Sequence, residues 1–115
     1  MPFRPSAIKI HPDLEPVYTA LEKSAKEGRQ PASAVWKSLQ TCLIRIRTDG
    51  QWGEVIPPDR IPVYFKEHYD VTNLYCVDLA HFYRGFYTLY YRDVILLDIL
   101  DHPTYDKWFP GRRKR

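Results

Sequence analysis

An α+β domain is predicted for this chain, and three features of the sequence predict it. Apolar residues recur at helical spacing through two early segments. Strict alternation takes over from Asn73 to Leu100. Only a few residues separate the elements within each half, so the helices form an antiparallel hairpin and the strands an antiparallel meander. At 115 residues the chain is expected to be one domain, residues 1–111, with a basic tail at 112–115.

Each element has its own signal. Ala-Ile-Lys-Ile at residues 7–10 reads as a short first strand. His11-Pro12-Asp13 opens a helix, with proline and an acid in the first turn to suit the dipole, and Leu14, Val17, Tyr18 and Leu21 make its apolar stripe. Gly28 is its natural stop. A second helix starts at Pro31, carries Val35, Leu39, Cys42 or Leu43, and Ile46, and ends at Asp49-Gly50. Residues 50–72 hold Gly50, Gly53, Pro57, Pro58 and Pro62, so they are expected to be a long loop with short extended pieces at 54–56 and 63–66. The three strands of the meander follow: Asn73 to Leu79, Phe82 to Tyr91 and Val94 to Leu100, with a tight turn at Arg92-Asp93. On the last, Ile95, Leu97 and Ile99 should share one face and Leu96 and Asp98 the other. A final helical turn is expected between Pro103 and Phe109. The helices would cover one face of the sheet and leave the other to solvent or a ligand.

The totals bound the function. Of 17 basic side chains, four lie at residues 112–115; the 13 that remain face 14 acidic ones, a net charge of −1 for the body. The basic character is therefore a tail, and a general electrostatic grip on nucleic acid would need basic residues clustered by the fold. Two cysteines make no disulfide framework, and no short Cys or His spacing suggests zinc. The start lacks the apolar core of a signal peptide, and no apolar run approaches membrane-spanning length, so a cytoplasmic protein working without metal, cofactor or membrane is expected. Aromatic content is heavy, with nine Tyr, five Phe and three Trp.

The most apolar strand, "FYRGFYTLYY" at residues 82–91, contains Arg84. Tyr83-Arg84-Gly85-Phe86-Tyr87 is similar to the central hairpin of the RelE/ParE-type toxin superfamily. "NLYCVDL" looks like the preceding strand of such toxins, and His102, Tyr105, Asp106 and Lys107 in "DHPTYDKWF" resemble the ending of the HigB branch. The order of elements matches this RelE-like pattern over nearly the whole chain, although residues 50–72 are longer than a minimal member needs.

The resemblance implies a toxin of a type II toxin–antitoxin system, held by a cognate antitoxin protein. RNA-cutting members are endoribonucleases that cleave mRNA in the ribosomal A site without metal: the 2′-hydroxyl attacks the adjacent phosphate and leaves a cyclic phosphate. Carried onto this sequence, Arg84 would hold the phosphate, His102 would move a proton, and Tyr105 would assist or stack. Lys66, His68, Tyr87, Lys107, Arg112 and Arg113 would contact substrate. The chemistry fits these residue types, because a guanidinium fork takes two phosphate oxygens and an imidazole titrates near neutrality.

Structural readings stand beside each of these. Arg84 could be an ion pair with Asp78 or Asp98, His102 a cap on the turn at Pro103, Tyr105 a core ring and Lys107 a solvated lysine. Asp78, Asp98, Asp101 and Asp106 along the same face dilute a phosphate-attracting field. Two other functions therefore remain open on the same fold: a non-catalytic protein-binding domain, and a single-stranded nucleic-acid binder using Tyr83, Tyr87, Tyr90, Tyr91 and the tail.

Overall fold

The computed structural model describes residues 3–109. The elements run β1 (Ala7–Ile10), α1 (Glu15–Lys26), α2 (Ala32–Thr48), β2 (Glu54–Val55), α3 (Val63–Tyr69), β3 (Tyr75–Asp78), β4 (Arg84–Tyr90), β5 (Asp93–Leu100) and α4 (His102–Trp108). One sheet of five strands has the order β1-β5-β4-β3-β2. Strands β2 to β5 pair antiparallel, and β1 joins the far side of β5 in parallel, Ala7 opposite Asp93 and Ile10 opposite Leu96. This is the predicted α+β architecture. The parallel pair is the first and last strand of the chain, so α1, α2 and strands β2 to β4 all lie between its members, and no tight turn has to join them.

The helix hairpin follows from its sequence. Pro16 sits in the first turn of α1 where its missing N–H is not needed, and Lys23 and Lys26 close the last turn. Gly28 then takes φ 74°, and the Gly28 and Arg29 N–H groups donate to the carbonyls of Ala25 and Ser24. On α2, Val35, Leu39, Cys42, Leu43 and Ile46 form the buried stripe. They pack on Tyr75, Val77, Tyr87, Val94 and Leu96 of the sheet, and Leu14 enters from α1.

The second face of the sheet is not open, which corrects the expectation above. Ile56, Ile61 and Phe65 from residues 50–72 and Tyr105 and Phe109 from the C-terminal segment cover Leu74, Cys76, Phe86, Leu97 and Leu100. Residues 63–69 are helix α3 rather than an extended piece. Pro62 precedes the first turn, and Phe65 is driven into the sheet beside Phe86, ring centroids 5.2 Å apart. The length of the segment has this physical cause: a two-faced sheet rich in Phe and Leu needs a second cover, and α3 and α4 supply it.

The register also departs from simple alternation. Phe86 pairs with Asp98 but Tyr87 pairs with Leu96, so Leu97 is an extra residue in β5. Ile95 and Leu97 face the second core as expected, whereas Ile99 beyond the bulge packs with the helix-side core. The β4–β5 turn lies at Tyr91-Arg92, one residue earlier than expected, with Tyr91 at φ 56°.

Candidate functional site

Three chain segments meet at the corner where β4 begins and β5 ends. Arg84 opens β4 opposite Asp78 of β3 and Leu100 of β5. Its parity puts the guanidinium on the second face, where Cζ lies 4.9 Å from the centre of the Tyr105 ring. Nε forms an ion pair with Asp78 Oδ1 at 3.0 Å, and Nη1 donates to the Tyr83 carbonyl at 3.3 Å. Arg84 is only 18 % exposed, whereas Asp78 is 81 % exposed. One partner is thus fixed by packing and the other is free to swing into solvent. The positive charge in the most apolar strand is resolved by a ring beneath it and an acid beside it.

His102 follows β5 by two residues and is the first residue of α4. Asp101 caps that helix by accepting the Thr104 N–H at 3.0 Å, and hydrogen bonds from Thr104 hold the Asp101 carboxyl below its ordinary pKa. The imidazole Nε2 comes within 3.2 Å of Asp106 Oδ2, one turn along, but out of line for a hydrogen bond. His102 also faces the ring of Phe82 at 5.4 Å.

The loop between β3 and β4 is strained. His81 at φ 58° and Phe82 at φ 63° are successive left-handed residues without being glycine, each costing on the order of 1–2 kcal/mol. Hydrogen bonds hold the loop in place: the Ala80 N–H donates to Ser38 Oγ on α2, the Tyr83 N–H to the Ala80 carbonyl and the Leu79 N–H to the Tyr83 carbonyl. Phe82 projects from it 67 % exposed. In "DLAHFYRG" histidine is a residue type enriched at positive φ, whereas nothing signals that Phe82 takes this conformation.

The corner therefore brings Arg84 and His102 together with Tyr105, Asp78 and Asp106, and leaves other sequence candidates elsewhere. Tyr105 is buried, stacked on Phe109 at 5.0 Å and Phe86 at 6.2 Å; it supports Arg84 and offers no open face for a base. Tyr87 is corrected outright as a substrate contact. It points to the helix side and is fully buried, its hydroxyl donating to the Gly50 carbonyl at 2.7 Å and accepting from the Gly53 N–H at 2.9 Å. Burial pushes its pKa well up.

Lys66 and His68 lie on α3, not in a loop. Lys66 is exposed, while His68 Nε2 meets Asp13 Oδ2 at 2.7 Å and stacks on Tyr64. Lys107 is exposed on α4 beside its neighbour Trp108. Arg112 and Arg113 fall outside the described residues. Asp98 belongs to the layer under α3: it faces Tyr64, 3.4 Å away, accepts the Ile99 N–H at 2.9 Å, and burial raises its carboxyl pKa. Tyr90 and Tyr91 pack edge-on at the far end of β4, roughly 20 Å along the strand from Arg84.

The corner can bind an oxyanion at Arg84 once Asp78 moves aside, and can exchange a proton at His102. Among the described residues, no three His, Cys, Asp or Glu are grouped to hold a metal ion, and no helix is long and apolar enough to cross a membrane. Family models, characterised proteins and solved structures return no match to the chain.

Proposed function

We propose that this protein is a RelE/HigB-like toxin: a ribosome-dependent endoribonuclease that cleaves mRNA in the cytoplasm, needs no metal and is neutralised by an antitoxin. The observation that carries this reading is that α4 supplies both His102 and the buried Tyr105 ring over which the Arg84 guanidinium stacks, Cζ 4.9 Å from its centre.

The reaction would run within one strand of RNA. The 2′-oxygen attacks the adjacent phosphorus, the phosphorus–O5′ bond breaks, the 2′-hydroxyl proton is removed and a proton is delivered to O5′. Arg84 would replace Asp78 by two phosphate oxygens and hold the charge that develops on the phosphorane. His102 would take or give the proton. Tyr105 acts as the floor that keeps the guanidinium in place.

A second reading is favoured by one specific contact. The Asp78–Arg84 pair neutralises the cation, and the body carries a net charge of −1, which suits a non-catalytic protein-binding domain on the same fold. A ribosome-dependent cleavage assay on a defined message separates the two. Under the nuclease reading the wild type cuts, and Arg84→Ala and His102→Ala, each folded, do not. A folded wild type that leaves the message intact beside a working control sinks the nuclease reading.

A further inference from the structure

We infer that Phe82 is a stacking platform for a nucleobase of single-stranded RNA, next to the phosphate held at Arg84. The inference rests on the ribonucleic-acid reading of the corner and adds a recognition residue to it. The Phe82 ring stands 67 % exposed, whereas Phe65 and Phe86 are buried completely. Its backbone makes the exposure more telling. His81 and Phe82 both take the left-handed conformation, where the Cβ of an L residue crowds the following carbonyl. Such strain persists only where surroundings over-determine it, and the bonds to Ser38 from α2 and between Leu79, Ala80 and Tyr83 do so.

What the strain achieves is placement. Two residues before Arg84, the ring is turned out of the sheet and set 5.4 Å from the His102 ring. An aromatic face and an imidazole thus lie side by side, two residues along the chain from the guanidinium that opens β4. Base, sugar hydroxyl and phosphate of one nucleotide present the matching groups, and stacking is indifferent to which base is offered. A protein partner would use an apolar anchor equally well, but it would have no need of the adjacent cation. Tyr90 and Tyr91, although exposed, stand at the other end of β4, away from Arg84 and His102.

The test uses the whole chain and a short fluorescein-labelled single-stranded RNA, without ribosomes, read by anisotropy. Phe82→Ala is expected to weaken binding about tenfold, the loss of one base stack, and Phe82→Tyr or Phe82→Trp to keep it. Phe82→Gly separates recognition from folding. Glycine relieves the left-handed strain, so its Tm should rise while its RNA affinity falls. A purely structural Phe82 would move both in the same direction. Equal affinity of Phe82→Ala and wild type overturns the inference and leaves the cleavage assay untouched. Phe82-dependent binding with no cleavage leaves the inference standing and removes only the catalysis. A wild type that does not bind single-stranded RNA overturns the inference, while the ribosome-dependent cleavage assay decides the nuclease reading separately.

Discussion

Replacing Tyr87 by Phe removes one oxygen atom and should cost the fold about 2–4 kcal/mol, an unusually large effect for so small a change. Tyr87 is fully buried between α2 and the sheet. Its hydroxyl hydrogen goes to the Gly50 carbonyl at 2.7 Å, and its lone pair takes the Gly53 N–H at 2.9 Å. Phenylalanine keeps the ring, and with it the stack on Tyr75 at 5.2 Å, so no large cavity opens. What remains is a buried carbonyl at Gly50 and an N–H at the half-buried Gly53, both without their partner. Each such group costs about 1–3 kcal/mol, with the Gly53 end lower because water can reach it.

For a domain of this size 1 kcal/mol corresponds to roughly 4 °C, so Tm should fall by about 10 °C. Urea denaturation followed by tryptophan fluorescence is the assay, since Trp52 lies beside Gly53 in the segment that the hydroxyl pins. The midpoint should fall with an unchanged slope. A loss below about 0.5 kcal/mol would show that these two bonds do not anchor the start of residues 50–72, and the argument would fail.

Two further outcomes follow from the charges. Asp78→Asn should raise affinity for single-stranded RNA about fivefold, because a carboxylate competing with phosphate for Arg84 is removed; the gain should shrink at high salt, since Asp78 is largely exposed. Unchanged affinity at low salt would mean that Arg84 does not meet the phosphate. Asp98→Asn should stabilise the protein at neutral pH, because burial raises the Asp98 carboxyl above its ordinary 3.8. The folded state then binds its proton more tightly than the unfolded chain does. Wild-type stability therefore falls as pH climbs from the unfolded value through the raised one, and this slope should vanish in the variant when unfolding is measured across that range. A slope retained in Asp98→Asn would assign the pH dependence to another group.

Much of this molecule could be read from local spacing. The stripe from Val35 to Ile46 needs only helical periodicity and a partner sheet, and Gly28 ends α1 because the left-handed turn there suits glycine. The antiparallel meander follows from short links, and Arg84 and His102 were legible as residues whose chemistry suits phosphate and proton. These are properties of neighbours along the chain.

Tertiary structure decided what depends on distant neighbours. Tyr87 reads as part of an aromatic strand face, but which face is wet depends on what covers the sheet, and α2 covers that one. Residues 50–72 look like a loop because their prolines break long periodicity; α3 forms among them because Phe65 finds Phe86 across the sheet. The bulge at Leu97 is invisible to a count of alternation, yet it turns Ile99 to the other side. Whether Asp78 or Asp98 meets Arg84 is a matter of register, settled for Asp78 by direct pairing across β3 and β4. Phe82 has no sequence signal at all. Its left-handed backbone is imposed by hydrogen bonds from α2 and across the loop, and only the assembled fold can hold an L residue there.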